Sequence, residues 1–511
     1  MNTNALKFTY EKIDGIYFLD TVSIKNECSE YNVYFDEFLT FKGKYIVENL
    51  NYWLIFILYE LKRRNFQAIV EDKVRLVNNS YTYLVNSENE CYQILIKTNY
   101  GRIEIQSFDK KFGTHLDNYK KQAKIEYMDD LDAILHALDV LEKNNIDDCL
   151  TIGTAAVKYF KNLKYCHSSF TWIDDKQDEF VRKSYSGGIC QKFEDKYYGK
   201  ITAIDCNSLY PYVMKKYPMP VGNGKFFKGD NYGDYLYVQH IKCYVTLKEK
   251  AMPCLFEDTM FMEGTDPIYF GEIDRIMTSV DIDNMFKCYN VVDLERLEGF
   301  KYKYAYGIFN NYINTFYKLK RDSKNVDMGT YYIAKVMLNS LGGKFATKRK
   351  FTRTVYNFKE NDTLDTSRED LEATGWYVPL AAFMTAYARK ELIDMFNRIQ
   401  KHKDEFCLLY CDTDSLYIKG DIPEEVMEYI DDYELGKWKN EGTFIAGKFL
   451  KQKVYAVLRE DGTTKYTVAG CTESAKSNLT WDTFKEGTVL KNRVFKRALG
   501  GCDITEAPFI L

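Results

Sequence analysis

The stretch "EFCLLYCDTDSLYIKG", residues 405–420, sets two like charges on a tight turn between apolar runs. Phe406, Leu408 and Tyr410 precede the turn and Leu416 and Ile418 follow it, the period-two pattern of two half-buried strands. A hairpin tip needs only Asn-Gly or Asp-Gly, yet Asp412 and Asp414 stand there. Two readings are open at this point. One is a polar turn whose Asp side chains bond their own backbone. The other is a set of ligands for a hard metal ion, which needs clustered oxygens on a rigid element.

A chain of 511 residues is too long for one ordinary core and predicts two to four packed units. Its 46% hydrophobic and 28% charged residues are those of a soluble globular protein. A net charge of -4 gives no overall basic footprint, so nucleic-acid contacts must come from local Lys/Arg clusters. The 43 Tyr and 33 Phe supply core and also rings suited to stacking on bases. Thirteen Cys with no signal-like N-terminus and no CxxC pair predict reduced thiols in a cytosolic compartment and no structural zinc. Cys407 and Cys411 read as packing residues. The longest apolar run, Leu50–Leu61, is too short for a bilayer and predicts a buried helix, so no membrane role follows.

Along the chain, residues 1–150 mix strands with helices at 50–64 and 129–143, an α+β unit. The polar passage 167–188 reads as a connector. In "GKITAIDCNSLYPYVMKKYPMP" a strand over Ile201–Ile204 ends at Asp205, and a turn or short helix begins at Asn207. Segment 225–300 is strand-rich, residues 306–345 read as two helices, and 346–378 as a charged hairpin or projecting loop. A helix over Leu380–Gln400, the opening hairpin, a second hairpin with an Asp-Gly turn, and a basic tail at Lys491–Arg497 complete the chain.

Asp205, Asp412 and Asp414 at strand ends of one sheet would hold two Mg²⁺ ions, which clamp the attacking and leaving oxygens of a phosphoryl transfer. A solvated turn residue is the plainer reading of Asp205 alone. In "KVMLNSLGGK", Lys335 lies one helical turn before Asn339, so both share a helix face. A point charge beside small donors suits a triphosphate, although most helix lysines are simply solvated.

In order, these segments resemble the motifs of family B DNA polymerases: "DCNSLYP" (205–211) motif A, "KVMLNSLGG" (335–343) motif B and "YCDTDS" (410–415) motif C. "KQKVY" resembles the lysine-any-tyrosine motif, "TAYAR" (385–389) the threonine-to-arginine motif, and "YSGG" (185–188) the linker between exonuclease and polymerase domains. The likeness is nearest to the protein-primed enzymes of small phages and linear plasmids. It implies an α+β fold: a right hand of palm, fingers and thumb behind an exonuclease-like (RNase H-like) domain. The implied domains are 1–168 (degenerate exonuclease), 169–200 (linker), 201–445 (palm and fingers) and 446–511 (palm end and thumb). Insertions at about 217–310 and 346–378 would match the two terminal-protein regions.

The resemblance further implies template-directed, strand-displacing synthesis from dNTPs on a DNA template-primer, with two Mg²⁺ (Mn²⁺ substituting) and a terminal protein as primer. A monomer in the cytoplasm of a bacterial host is expected. Asp205 and Asp414 resemble the essential metal ligands, with Asp412 and the Cys206 carbonyl assisting. Tyr210, Lys335, Asn339, Lys320 and Arg321 would meet the nucleotide. Tyr185, Gly187, Gly188, Ser340, Gly343, Thr385, Arg389, Thr413, Ser415, Lys453 and Tyr455 would contact DNA. A repair, translesion or primase-like polymerase, and an inactive DNA-binding scaffold, are the alternatives.

Two departures stand out. Gly342 replaces the usual motif B tyrosine, which implies a gap beside the nascent base pair and greater tolerance of mispairs. The exonuclease motifs offer only Asp20 and Asp130, with Trp53 in place of a carboxylate, so the N-terminal unit should lack two-metal hydrolysis.

Overall fold

The hairpin at 405–420 lies within a seven-stranded antiparallel sheet. Strand Leu408–Asp412 pairs with Ser415–Lys419, Asp412 standing opposite Ser415, so that Thr413 and Asp414 alone make the turn. Ser415–Lys419 pairs in turn with Lys196–Cys206, whose other neighbour is Trp438–Lys451. The hairpin Val454–Leu458/Thr464–Val468 extends one edge and Cys190–Lys192 the other. A computed structural model provides this description for residues 3–69, 75–163, 173–230, 233–257, 265–359, 364–372 and 376–511. The domain boundary expected at 168/169 lies outside the described residues.

Helix Val378–Gln400 lies against this sheet and is buried around most of its circumference, which is why its apolar residues run beyond a single stripe. Helices Asn310–Ser323 and Met328–Lys344 form a pair beside it. The second begins where the Asp327 side chain accepts from the Thr330 amide at 3.0 Å. It buries Ile333, Met337, Leu338 and Leu341 while Lys335, Asn339 and Gly343, each one turn further on, stay exposed.

Between the strand of Asp205 and these helices the chain builds a separate antiparallel sheet of Met219–Lys228, Tyr289–Ala305, Leu236–Leu247 and Phe270–Thr278, covered by helix Ser279–Cys288. After Lys344 comes the hairpin Lys350–Phe358/Leu364–Glu372, which anchors on the N-terminal unit through Thr354 Oγ1 to the Asn86 carbonyl (2.9 Å) and Tyr356 against Tyr83. The N-terminal unit is an eight-stranded mixed sheet in which Gly43–Val47 runs parallel to both neighbours, Thr3–Ile13 and Arg102–Ser107. Helix Leu50–Arg63, capped by Asn49, is buried against it. The fold is thus α+β. Among the described residues no helix is long and apolar enough to cross a membrane, and the described cysteines are free.

Two expectations are corrected. The connector over 167–188 contains helix Asp175–Arg182, started by the Asp174 side chain accepting from Gln177 N (2.8 Å) and pinned by Arg182 to the Ala346 carbonyl (2.7 Å). The basic run Lys491–Arg497 is not a tail but part of strand Val489–Ala498, paired with Gly501–Ile510. The tip of that hairpin docks back on the N-terminal unit: Tyr17 N–H donates to the Leu499 carbonyl at 3.0 Å, and the Arg497 guanidinium lies 4.9 Å from the centre of the Tyr356 ring. Glycines permit the approach. Gly500 has φ +75°, and a Cβ there would strike the Tyr17 carbonyl oxygen.

Gly500→Ala should therefore undock the hairpin, at a cost of roughly 1–3 kcal/mol. Amide hydrogen exchange should accelerate across Val489–Ile510 and leave the sheet around Asp205 unchanged. Unaltered protection of the hairpin would refute the docking role.

Candidate active site

The turn that opened the sequence is held from three sides. Thr413 adopts φ +58°, an uncommon state for a β-branched residue that costs of the order of 1–3 kcal/mol. Its amide donates to the Ile189 carbonyl at 2.8 Å, and its hydroxyl to Asp412 Oδ1 at 3.1 Å. Gly188 faces it so closely that a Cβ there would lie 2.7 Å from Thr413 Oγ1. Ser415 Oγ donates to the Asp412 carbonyl (3.2 Å). Most telling, the Cys206 amide donates to the Asp414 carbonyl at 2.7 Å, which fastens Asp205 and Asp414 side by side across two strands.

Electrostatics records that proximity. Burial, then the Asp414 charge and then Glu441, push the Asp205 carboxyl up to about 7. Burial and Asp412 push Asp414 up to about 6. Lys335 opposes both shifts, so its positive charge lies in the neighbourhood of the pair. Lys320 donates to Ser208 Oγ at 2.9 Å, and burial, reinforced by Lys335 and Lys324, lowers it to about 8. Tyr210, raised to about 12 mainly by burial, feels Tyr185, Arg389, Asp414 and Asp412. Asn339 and Gly343 continue the exposed stripe of Lys335, with Ser340 beside them.

The expected three-carboxylate cluster is not what forms. Among the described residues no three His, Cys, Asp or Glu side chains are grouped to hold a metal ion on their own. The Asp205–Asp414 pair still fits a hard divalent cation, because Mg²⁺ is held by one or two carboxylates plus substrate phosphates rather than by an all-protein cage. The Cys206 carbonyl adjoins the pair.

Several predicted contacts lie elsewhere. Arg389 is buried and fully engaged: Nε and Nη2 donate to Asp281 at 2.9 and 2.8 Å, and Nη1 to the Ser186 and Gly187 carbonyls at 2.7 Å. It braces "YSGG" instead of reaching a phosphate. Thr385 is buried and its hydroxyl returns to its own helix at the Ala381 and Ala382 carbonyls. Tyr455 is buried under Tyr410 and Tyr417, its hydroxyl 3.0 Å from that of Tyr417. Lys453, at φ +56°, donates its amide to Tyr410 Oη (2.8 Å). Arg321 pairs with Asp322 and lines a separate cavity with Lys215, Tyr317 and Tyr433.

Gly342 leaves no gap. A Cβ there would strike Met384 Sδ and come within 2.8 Å of its Cε, with Met214 Sδ at 3.6 Å. The methionines fill the space that a larger side chain would occupy.

In the N-terminal unit, Asp20 is exposed beside Thr9, and Asp130 is paired with Lys7 and Lys120. Trp53 packs on Phe8 with ring centres 5.4 Å apart. Glu441, Ser208 and Asp281 were missed in the sequence. Each acts through a strand register or helix end whose partner is remote in the chain, which no local pattern signals.

Residues 75–428 match the family model for DNA polymerase type B, organellar and viral. The DNA polymerase of Bacillus phage Nf is 31% identical over 397 residues, covering 71% of this chain and 68% of the relative. That of Bacillus phage phi29 is 32% identical over 390 residues, covering 70% and 66%. A solved structure of phi29 DNA polymerase with primer-template DNA, a post-translocation binary complex, superposes with TM-score 0.88 at 25% identity over 99% of both chains. Its ternary complex with primer-template and incoming nucleotide gives 0.87 at 25% identity, again over 99% of both.

Asp205 and Asp414 hold their protons more tightly in the folded than in the unfolded chain. The folded state is therefore favoured below the unfolded carboxylate range and loses that advantage as pH rises through about 6 to 7. Asp205→Asn removes this penalty. Without divalent cations it should be more stable than the parent by about 1–2 kcal/mol at pH 8, with little difference near pH 4. Urea unfolding at the two pH values measures this, and a variant no more stable at pH 8 would contradict it.

Proposed function

The chain belongs to the organellar and viral type B DNA polymerases, and from that premise we propose that Asp205 and Asp414 hold the metal ions of its template-directed DNA synthesis. The observation that carries this reading is the 2.7 Å bond from Cys206 N–H to the Asp414 carbonyl, which sets the two carboxylates together facing Lys335. Two Mg²⁺, when bound there, supply Lewis-acid activation of the attacking hydroxyl and neutralise the developing phosphate charge. The 3′-hydroxyl of the primer attacks the α-phosphate of the incoming dNTP, and pyrophosphate leaves. Lys335 and Asn339 hold the triphosphate from the exposed helix face. Lys320, lowered to about 8, is placed to protonate or grip the leaving phosphates. Tyr210 walls the sugar. Arg389 and Thr413 act by holding the "YSGG" segment and the metal turn against each other.

Proofreading is absent in this reading. Trp53 fills an expected ligand position with a ring, and Asp130 is committed to two lysines. Priming by a protein is the favoured mode. The separate sheet over 219–305 presents Phe270 (71% exposed), with Tyr244 and Val292 directly opposite one another on adjacent strands. Exposed apolar groups of this kind mark a protein-docking face. Strand displacement, a phage or mobile-element genome as template and the cytoplasm of a bacterial host accompany this reading.

With Mg²⁺, the parent protein should extend a DNA primer while Asp414→Ala loses activity by at least about a thousandfold, and neither should release nucleotides from single-stranded DNA. Extension by both or by neither would refute the assignment. Phe270→Asp should leave DNA-primed extension intact but weaken initiation on a hydroxyl-bearing priming protein about tenfold or more. Equal initiation would remove the insertion sheet from the priming role.

A further inference from the structure

The strand beside Asp205 carries two charges close to the synthesis site. Trp438–Lys451 runs antiparallel to Lys196–Cys206, and in that register Lys439 stands directly opposite Asp205. Directly opposed residues share one face of a sheet, with Cβ atoms about 5 Å apart, so a lysine side chain can span the gap. Asp205 is therefore the natural partner of this ammonium, yet the pair does not form. Among the described residues Asp205 makes no ion pair, and Lys439 Nζ donates instead to Glu441 Oε1 at 2.7 Å.

An irregularity in the same strand sets Glu441 in place. Ala203 pairs with Gly442 and Ile204 with Asn440, so Glu441 is the extra residue of a β-bulge and faces no residue of the Asp205 strand. Gly442, at φ +125°, closes the bulge by donating its amide to Asn440 Oδ1 at 2.9 Å. Bulges bend a strand and re-aim a side chain, and they recur beside active sites. The charges record the outcome. Lys439 is held above the usual lysine value, first by its bond to Glu441 and only later by the Asp432 and Asp205 charges, with burial opposing. Asp205 is raised by burial, then Asp414, then Glu441, while Lys335 and after it Lys439 oppose the shift. Lys439 and Glu441 are 37% and 36% exposed, and an exposed pair adds little to stability. What the pair settles is which carboxylate Lys439 neutralises.

That choice bears on the metal. A hard divalent cation needs carboxylate oxygens that no other cation occupies. An ammonium bonded to Asp205 would cancel one of the two charges that hold the ions and would cover its oxygens. We propose that Glu441 is a positioning residue: resting on Asp205 and Asp414 as the holders of the metal ions, its task is to keep Lys439 off Asp205 and leave that carboxylate free for a divalent cation. Glu441 acts through Lys439 and touches neither the nucleotide nor the metal in this role.

The test is Mn²⁺ binding to the full chain, read by electron paramagnetic resonance with primer-template and a non-hydrolysable dNTP, so that no turnover is involved. Glu441→Gln should weaken binding about tenfold, the scale on which groups outside the ligand set tune a metal site. Adding Lys439→Gln to that variant should restore affinity to within about twofold of the parent, because the lysine causes the loss. Urea unfolding of the metal-free protein gives a second readout. The midpoint shifts of Lys439→Gln and Asp205→Asn should add in the parent and depart from additivity in the Glu441→Gln background, where the two side chains pair. Parent-like Mn²⁺ binding by Glu441→Gln would overturn the proposal. So would weak binding that Lys439→Gln fails to rescue, which would make Glu441 a ligand in its own right. Undiminished Mn²⁺ binding by Asp205→Asn would instead sink the metal assignment, and the urea measurements would still decide whether Glu441 diverts Lys439.

Discussion

Two carboxylates are set side by side at the strand ends of an antiparallel sheet, and the surrounding structure serves to keep them there against their own repulsion. Asp205 and Asp414 both hold protons well above the ordinary carboxylate range, through burial first and neighbouring negative charge second. Left to itself such a pair would separate. It cannot, because the Cys206–Asp414 backbone bond lies within the sheet register that sets Asp205 opposite Ser415. Behind it, Thr413 is locked into a left-handed conformation by Gly188 and the Ile189 carbonyl. Arg389, anchored on Asp281, holds the carbonyls just before Gly188. The repulsion is held in a rigid frame, and the positive charge of a divalent cation, which Asp205 and Asp414 would hold, would relieve it.

Much of this was legible in the sequence. The alternation around 405–420, the strand ending at Asp205 and the helix carrying Lys335 each have a short-range signature of period two or 3.6, and the structure contains the corresponding elements. Order and spacing of the motifs pointed to the polymerase family. Side-chain destinations were far less legible. Arg389 and Tyr455 have the residue types of nucleic-acid contacts, but their partners, Asp281 and Tyr417, come from elements brought near only by tertiary folding. Gly342 looked like a vacancy because the sequence says nothing of Met384, 42 positions along and packed over it. The polar passage before Tyr185 hid a helix, since a short amphipathic helix with an Asp cap has too few apolar residues to announce itself.

The two ends of the chain are joined more closely than their separation in sequence implies. The C-terminal hairpin closes on the N-terminal sheet at Tyr17 and Phe56 and touches the hairpin after Lys344 through Tyr356. The N-terminal unit, with Trp53 where a carboxylate was expected, also shares the walls of a cavity of about 1410 Å³ with Ser340 and Gly343 of the helix that carries Lys335 and with Arg493 of the C-terminal hairpin. Its sheet and core thus tie the two ends of the chain together by packing.

The central claim is that the carboxylate pair is incomplete without substrate: two Asp side chains and a nearby carbonyl, with phosphate oxygens as the missing ligands. Electron paramagnetic resonance of Mn²⁺ titrated into the protein tests it most directly, alone and with primer-template plus a non-hydrolysable dNTP. The account predicts weak binding to the protein alone, two tightly bound Mn²⁺ in the presence of the nucleotide, and loss of both in Asp205→Asn/Asp414→Asn. Tight binding of two ions to the protein alone, or tight binding that survives the double substitution, would contradict it.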